Sequence, residues 1–352
     1  YQNLTFDYQI IDEAQFIKNA TTKAAKAVKQ ISSDFRIALT GTPVENHLGE
    51  LWSIFDYLMP GYLYSYKRFH VTFEIPIVQI GNPDALERLQ KLIAPFVLRR
   101  LKKDVLKDLP EKLEKNMFTP LTGEQEDLYR AHVQRLEVLL SKQSQEEFNQ
   151  SKIEILAELT KLRQLCCDPA LLYENYQAGS AKLDLCLELV QNAISGGHKI
   201  LIFSQFTTML DGIAERLKQE NIPYYVLKGS TPKQERMQLV TAFNQDETPV
   251  FLISLKAGGT GLNLTAADIV IHYDPWWNVA AQNQATDRTH RIGQEKQVMV
   301  YKLITSDTIE ENILKLQEAK QDLADQIVSK GGISFGELTK DDILKMIEES
   351  RP

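Results

Sequence analysis

The chain of 352 residues is longer than one typical domain, and its 43% hydrophobic and 25% charged residues are ordinary values for a globular protein. It has no apolar run of about 18 or more residues and no basic-then-apolar leader, which argues against a membrane-spanning or secreted protein. A net charge of −7 excludes a uniformly basic, histone-like nucleic-acid binder, although local basic stretches can still contact phosphates.

The first predicted elements are two strands joined by a helix. The pattern of residues 6–11 predicts a buried strand that leads directly into Asp12 and Glu13. Residues 19–31 have a helical pattern, and residues 36–39 predict a second strand that ends at Thr40, Gly41 and Thr42. We therefore expect the chain to start inside the closing portion of an α/β lobe.

The middle of the chain is mostly helical in pattern. Residues 48–109 carry helical periodicity and a basic cluster, and a strand-like connection follows Pro110. Thr122 and Gln125 fit a capping box for a helical pattern that runs through residues 128–165. The adjacent cysteines at 166 and 167 cannot easily bridge each other, so neither a disulfide framework nor a zinc site is predicted. We expect these segments to be insertions between two lobes.

A second α/β lobe is predicted near residue 199. Apolar runs separated by helical stretches occur at residues 200–203, 224–227, 250–253, 269–273 and 298–304. Apolar strands without alternation predict a mostly parallel sheet covered on both faces. Thr308, followed three residues later by Glu311, predicts the start of a long helix with one apolar stripe. Residues 331–352 predict a glycine turn and one short exposed helix.

Asp12 and Glu13 are candidates for nucleotide chemistry because they follow a strand of a parallel α/β sheet. In nucleotide hydrolysis, an acidic residue at this place holds Mg²⁺, usually through water, and its neighbour orients the attacking water. Taken alone, the pair more often simply starts a helix at its positive end. The turn at Thr40, Gly41 and Thr42 can link nucleotide state to movement, although such a string alone is more often an ordinary tight turn.

Residues 284–294 carry the strongest local signal. Arg288 and Arg291 are three residues apart, so on a helix they would project from one face. Arginines placed in this way stabilise the charge of a phosphoryl group during transfer. For two arginines alone, a solvated helix face is the favoured alternative.

Two further strings follow predicted strands. Residues 254–263 form a glycine-rich turn that is expected to open a helix, where backbone amides suit nucleotide or DNA phosphate, but glycine also serves sharp turns for steric reasons. Asp274 begins the string Asp-Pro-Trp-Trp-Asn, and its tryptophans are either a coupling element or packing, at even odds.

Taken in order, these strings resemble motifs II to VI of superfamily 2 helicase-like ATPases, in the SWI/SNF remodeller and translocase branch. The most discriminating strings are residues 39–46, 98–105, 274–278 and 287–294. The resemblance covers nearly the whole chain and implies RecA-like, P-loop NTPase lobes of the α/β class with ATP between them. It predicts a remnant of the first lobe at 1–47, helical protrusions and a linker at 48–180, the complete second lobe at 181–308, and a bracing helix and tail at 309–352.

The resemblance also assigns roles by position. It implies a catalytic set of Asp12, which would hold Mg²⁺ through water, Glu13, Gln284, Arg288 and Arg291. Gly259 and Gly261 join Gln284 and the two arginines as nucleotide-binding residues. The residues expected to contact DNA are Ser204, Gln205, Lys228, Gly229, Ser230, Lys256, Thr260 and Trp277. Thr40, Gly41, Thr42 and Asp274 are the expected coupling residues.

The implied function is ATP-dependent and Mg²⁺-dependent movement along double-stranded DNA without strand separation, which remodels protein–DNA complexes. Double-stranded DNA and DNA-bound proteins are the expected partners of a monomer that binds no membrane. The string at residues 12–19 resembles bacterial and archaeal members, which predicts a cytoplasmic, nucleoid-associated protein; a eukaryotic member would be nuclear.

One departure from the family pattern is the phosphate-binding loop, because the sequence contains no G-x-x-x-x-G-K-[ST] string. We expect that loop upstream of Tyr1, and we expect the parent protein to hydrolyse ATP and this fragment alone to turn over little or none. Two alternatives stay open: an RNA helicase or RNA-polymerase-recycling ATPase, and a degenerate DNA-binding module whose nucleotide site has decayed.

Overall fold

Two compact units make up the computed structural model, one formed by the residues up to Lys102 and the other by the residues from Lys103 to 315. No helix among the described residues is long and apolar enough to cross a membrane. The predicted boundaries at 47, 180 and 308 stay predictions. The described residues are 4–41, 47–100, 102–106, 108–142, 144–258, 261–315, 317, 340, 343, 344 and 347.

Unit 1 contains a two-stranded parallel sheet followed by helices, as predicted. The prediction that the first strand is buried is wrong, because each of its residues is exposed or half-buried. Short 3₁₀ turns at Ala14–Ile17 and Ala94–Phe96 and a π-helical turn at His70–Glu74 complete it. Its strands are β1 (Thr5–Ile11) and β2 (Ser32–Ala38), and its helices are α1 (Lys23–Lys29), α2 (Leu48–Leu58), α3 (Tyr66–Phe69), α4 (Ile75–Val78) and α5 (Pro83–Ile93), with α6 (Lys102–Val105) at the division between the units.

Side-chain hydrogen bonds to backbone carbonyls fasten α2 to the small sheet. The Tyr57 hydroxyl donates to the Gln9 carbonyl at 3.1 Å, and the Ser53 hydroxyl donates to the Ile17 carbonyl at 2.7 Å. Arg36 of β2 donates to the Tyr57 carbonyl at 2.7 Å. Because Ser53 and Tyr57 are fully buried, their hydroxyls would otherwise lack partners, and these bonds hold α2 against β1 and the turn that follows it.

Unit 2 is built on a six-stranded sheet with the order β3-β8-β7-β4-β6-β5. Each recorded pair of neighbouring strands is parallel. Its strands are β3 (Lys112–Thr119), β4 (Ile200–Ser204), β5 (Tyr224–Leu227), β6 (Val250–Ser254), β7 (Ile269–His272) and β8 (Val298–Thr305). Its helices are α7 (Glu124–Ser141), α8 (Gln145–Cys167), α9 (Ala181–Ser195), α10 (Thr207–Gln219), α11 (Lys233–Gln245), α12 (Leu255–Gly258), α13 (Val279–Thr286) and a C-terminal helix at 309–315.

The apolar runs form central strands because both faces of the sheet are covered. Ile200 and Ile202 of β4 pack into one buried cluster with α9 and α10, whereas Leu201 and Phe203 pack into another with α11 and α13. β4, β6 and β7 are buried along their whole length, so every position favours an apolar side chain. The predicted parallel sheet is confirmed, and the strand-like segment after Pro110 is its edge strand β3, paired with β8.

The predicted capping box at Thr122 is wrong. The N-cap of α7 is Gly123, which makes no side-chain cap, and Gln125 is buried and donates instead to the Leu165 carbonyl at 2.7 Å. A tertiary hydrogen bond therefore takes the amide that a capping box would use. The predicted helical stretch is also two helices, and the capping box lies at the start of α8, between Ser144 and Glu147.

The C-terminal helix begins where the sequence predicts. The Thr308 hydroxyl accepts the Glu310 amide at 3.2 Å, and the Glu311 carboxylate accepts the Asp307 amide at 3.0 Å. Ile309 and Ile313, the first two positions of the predicted stripe, are buried. The later stripe positions 316, 323 and 327 and the predicted tail turn at 331 lie outside the described residues.

Candidate functional site

The first candidate carboxylates lie immediately after β1, as predicted. Asp12 is exposed, and its Oδ1 accepts the backbone amide of Glu13 at 2.9 Å. Glu13 has a left-handed backbone with φ 53° and ψ 52°, which a residue other than glycine adopts at a cost of roughly 1–3 kcal/mol. This sharp turn directs the two neighbouring carboxylates to different surroundings.

A chain of hydrogen bonds joins Glu13 to the predicted coupling segment. The side-chain amide nitrogen of Gln15 donates to the Glu13 carboxylate at 2.5 Å, and the Thr40 hydroxyl donates to the side-chain oxygen of Gln15 at 2.9 Å. The Leu39 carbonyl also accepts the Ala14 amide at 2.8 Å. The structure thus brings the strings after β1 and β2 together through Gln15, whose role the sequence did not indicate. Gly41 follows, and Thr42 lies outside the described residues.

In unit 2, the predicted DNA-binding residues lie at the carboxyl edge of the sheet. Gln205 follows β4, Lys228 follows β5, Lys256 follows β6 and Trp277 follows β7. Because the sheet is parallel and β7, β4, β6 and β5 are consecutive neighbours, these four positions share one edge. Lys256 is exposed, and Gln205 and Trp277 are half-buried.

Ser204 is placed differently from the others. It is 1% exposed, and its hydroxyl donates to Asp274 Oδ1 at 2.5 Å. The same oxygen accepts the backbone amide of Gln205 at 3.3 Å. Ser204 therefore ties the end of β4 to the end of β7, and its predicted contact with DNA stays a prediction.

Asp274 is a buried carboxylate at the centre of this edge, with 3% exposure. Burial raises the pKa of Asp274 to about 6, against the opposing effects of the Arg163 charge and the Ser204 hydrogen bond. Its Oδ2 lies 3.7 Å from an Arg163 nitrogen and accepts no hydrogen bond from the described residues. Asp274 therefore interacts with Ser204, Gln205 and Arg163.

Arg163 is a residue that sequence reasoning missed. It lies on α8, contacts Gln205 and Pro275, and is 4% exposed. The signal was present, because Arg163 follows Leu159 by four residues and precedes Cys166 by three, which places a charged side chain on a buried helix face. A charge at such a position indicates a specific partner.

Lys228 and the two residues after it form the outer end of the edge. The Lys228 ammonium lies 2.5 Å from an Asp211 carboxylate oxygen of α10, and its backbone amide donates to the Thr231 hydroxyl at 3.0 Å. Gly229 and Ser230 are exposed. Their positions are compatible with the predicted backbone contact to DNA, which stays a prediction.

The predicted helical presentation of the two arginines is wrong. Helix α13 ends at Thr286, and both Arg288 and Arg291 lie in the turns that follow. The Thr289 hydroxyl donates to the Thr286 carbonyl at 2.8 Å, and the buried Gln294 amide donates to backbone carbonyls that include that of Thr289. These bonds satisfy the carbonyls at the helix end and turn the chain.

The two arginines also differ in exposure. Arg288 is 2% exposed and its Nε donates to the Gly258 carbonyl at 2.9 Å, whereas Arg291 is half-buried and its Nε donates to the Asp287 carbonyl at 3.0 Å. Gln284 is a half-buried residue of α13. The structure therefore corrects the local geometry expected for the two arginines, and their predicted roles stay predictions.

The glycine-rich turn differs from its prediction as well. The short helix α12 follows β6 directly and ends at Gly258, before the remaining glycines. A Cβ at Gly258 would lie 2.7 Å from the Phe203 ring, so this glycine is required by close packing. Gly261 has a φ of +47°, which favours glycine. Gly259 and Thr260 lie outside the described residues.

Comparisons with known proteins agree with this architecture. A model of the SNF2-related domain matches residues 1–171, and a model of the helicase conserved C-terminal domain matches residues 181–293. A solved Sulfolobus solfataricus SWI2/SNF2 ATPase core in complex with dsDNA is 39% identical, with a TM-score of 0.57, over 98% of this chain and 73% of that one.

Curated relatives match along the same length. The putative ATP-dependent helicase/translocase YwqA of Bacillus subtilis is 46% identical over 93% of this chain and 36% of its own. The human SWI/SNF-related regulator of chromatin subfamily A member 1 is 34% identical over 99% of this chain and 34% of its own. The chain thus spans about a third of the length of the curated relatives it matches. With both domain models matched in order and a solved core matched over most of its length, the chain belongs to the SWI2/SNF2 family of helicase-like ATPases.

Proposed function

We propose that the protein containing this chain is an ATP-driven translocase on double-stranded DNA that remodels protein–DNA complexes. The observation that carries the proposal is the alignment of nearly the whole chain with a homologous core that was solved with dsDNA. The edge formed by Gln205, Lys228, Lys256 and Trp277 supports it, because it offers amide, ammonium and aromatic groups side by side. Such groups contact phosphates and sugars without reading sequence.

For nucleotide hydrolysis, we assign Asp12 to the metal and Glu13 to the attacking water. Asp12 fits a hydrated Mg²⁺, since its carboxylate is exposed and lies at the carboxyl end of a strand in a parallel sheet. When bound, Mg²⁺ neutralises phosphate charge. The amide of Gln15 donates to Glu13 and orients its carboxylate, and a carboxylate held beside the reacting phosphate can accept a proton from water.

The arginine-bearing turn supplies positive charge for the phosphates. Arg291 is half-buried with its Nε fixed on the Asp287 carbonyl, so the rest of its guanidinium is directed by the turn. Arg288 is fixed through the Gly258 carbonyl of the glycine-rich turn. We assign both to stabilisation of phosphoryl charge and Gln284 to contact with the terminal phosphate.

Coupling between hydrolysis and DNA is assigned to the two strand-end strings. In unit 1, two hydrogen bonds link Thr40 to Glu13 through the side chain of Gln15. In unit 2, Asp274 holds the ends of β4 and β7 together through Ser204. Each link consists of short hydrogen bonds between groups that lie next to candidate ligand-binding residues, which is the arrangement that transmits small displacements.

The test is ATP hydrolysis by the full-length gene product with no nucleic acid, duplex DNA, single-stranded DNA or RNA. Selective stimulation by duplex DNA is the expected result, with a strong dependence on salt because phosphate contacts release counterions. Stimulation by RNA would favour an RNA-directed ATPase instead. Absence of hydrolysis under every condition would favour a DNA-binding module. The 352-residue chain alone, which has no G-x-x-x-x-G-K-[ST] string, is expected to be inactive.

A further inference from the structure

Helix α8 carries a buried arginine that the proposed chemistry does not use. Arg163 lies between Leu162 and Gln164, with Leu159 and Cys166 on the same buried helix face. Burial lowers the pKa of Arg163, opposed by the nearby Asp274 carboxylate. Because burying a guanidinium is costly and an apolar side chain often stabilises such a position equally well, the contacts of Arg163 require a reason other than packing.

The guanidinium of Arg163 bonds two loops at once. Its Nη1 donates to the side-chain oxygen of Gln205, in the loop after β4, at 3.0 Å. Its Nη2 donates to the backbone carbonyl of Pro275, in the loop after β7, at 2.5 Å. Nη2 also lies 3.7 Å from Asp274. Two of its donors therefore join residues that are 42 and 112 positions away in the chain.

Aromatic rings from the same two loops surround the guanidinium. Its central carbon lies 5.5 Å from the ring centroid of Phe206, 5.6 Å from that of Trp276 and 5.7 Å from that of Trp277. A planar guanidinium can stack on rings and donate hydrogen bonds in its own plane, whereas a lysine ammonium is a point charge without this geometry. The site is therefore specific for arginine.

We propose that Arg163 is a positioning residue that locks the loops after β4 and β7 into one arrangement, so that Gln205 and Trp277 meet the DNA backbone together. The inference rests on the proposed DNA-translocase function. It assigns the helical insertion that carries α8 a direct part in DNA engagement, because the insertion supplies the group that joins the two loops. Gln205 without Arg163 keeps its backbone bond to Asp274 but loses the partner of its side-chain oxygen.

The first test measures ATP hydrolysis by the full-length gene product as duplex DNA is titrated. Arg163→Lys and Arg163→Met are compared with Arg130→Met, a matched change at an exposed arginine of α7 that pairs with Glu126. For both Arg163 variants, the half-saturating DNA concentration is expected to rise about tenfold, the effect of losing one charge-assisted hydrogen bond. The maximal rate is expected to fall less than the affinity, and Arg130→Met is expected to change neither quantity.

A merely structural role would give a different pattern. Partial misfolding lowers the maximal rate in proportion to the folded fraction and leaves the half-saturating DNA concentration unchanged, and that result would overturn the inference. Arg163→Lys keeps the positive charge beside Asp274, so it decides the question if Arg163→Met does not fold. No stimulation of the unaltered protein by duplex DNA would contradict the proposed function instead.

A second test needs no DNA. Backbone amide hydrogen exchange is measured for peptides covering residues 204–206 and 274–278 in the same variants. Both peptides are expected to exchange at least about tenfold faster in Arg163→Lys, because the two loops lose their common anchor. Faster exchange confined to α8, with both loops unchanged, would overturn the positioning role whatever the protein binds.

Discussion

Asp12 and Asp274 both follow a strand of a parallel sheet, but their surroundings differ. Asp12 after β1 is exposed, and its Oδ1 accepts the neighbouring Glu13 amide. Asp274 after β7 is 3% exposed, accepts the Ser204 hydroxyl and lies beside Arg163. The first carboxylate is accessible to a hydrated cation, whereas the second is engaged by its protein neighbours.

The exposure and hydrogen-bond partners of an aspartate at a strand end therefore depend on the residues that pack over it. At Asp12, the neighbouring groups come from the next few residues and the next strand. At Asp274, the covering groups include Arg163, which donates to Pro275 from 112 positions earlier in the chain. The same local sequence pattern therefore gives an exposed carboxylate in one unit and a buried, hydrogen-bonded carboxylate in the other.

The largest effect on ATP turnover is expected from a substitution at Glu13, next to the exposed Asp12. Glu13→Gln keeps a side-chain oxygen for the Gln15 amide and removes the basic carboxylate. ATP turnover by the full-length protein is expected to fall roughly a thousandfold while ATP binding persists. Glu87→Gln, at an exposed glutamate of α5, is the control. Turnover within tenfold of the unaltered protein would remove Glu13 from the water-activating role.

Arg163→Met tests whether the second site is a buried charge pair. Removing the guanidinium leaves Asp274 buried without its counter-charge, so the free energy of unfolding is expected to fall by about 3 kcal/mol in urea denaturation. The double variant Arg163→Met/Asp274→Asn removes both charges and is expected to recover part of that loss. A double variant no more stable than the single one would show that the two groups are not energetically coupled.

The pH dependence of stability tests the burial of Asp274. The folded pKa of Asp274 is raised to about 6 from an ordinary value of 3.8, so between these values the folded state binds more protons than the unfolded state. Stability from this group is therefore present at low pH and is lost as pH rises through that window. Relative to Asp274→Asn, the unaltered protein is expected to lose up to about 3 kcal/mol between those pH values.

The measurement is urea unfolding of both proteins at several pH values within the window. A constant stability difference between the unaltered protein and Asp274→Asn would mean that the folded protein does not hold Asp274 in a pKa-raising environment.

The smallest effect is expected from cutting the hydrogen-bond chain in unit 1. Thr40→Val removes the hydroxyl that donates to Gln15, and Thr40→Ser keeps it. Losing one hydrogen bond of about 1 kcal/mol is expected to lower DNA-stimulated turnover about fivefold in Thr40→Val. Equal rates for the Val and Ser variants would mean that Thr40 is not linked to Glu13 through Gln15.

The strands of unit 2 were predictable because a strand that is buried on both faces favours an apolar side chain at every position. β4 to β8 were found as mostly apolar runs, and their parallel pairing follows from the helices between them. Position in the sheet was harder: β3 pairs with β8 although it precedes it by more than half the chain. The hydrophobic pattern of a segment indicates which of its faces are buried, but it does not indicate which strand lies next to it in the sheet.

The sequence predicted which strings at strand ends would contribute to the candidate site. It did not predict the local backbone structure of these strings or their partners from distant parts of the chain. Asp12 and Glu13 lie where the sequence places them, whereas Arg288 and Arg291 fall beyond the end of their helix because Thr289 and Gln294 hold the turn. Arg163 was missed because its partners are distant in sequence. A charged residue on a buried helix face was the signal that would have found it.

The most direct test of the account is movement along duplex DNA by the full-length protein, measured as ATP-dependent displacement of a third strand from a DNA triplex. If the protein is a translocase on duplex DNA, displacement of the third strand is expected to require ATP, to be lost in Glu13→Gln and to leave the underlying duplex intact. ATP hydrolysis stimulated by DNA without displacement, or unwinding of a blunt duplex, would contradict it.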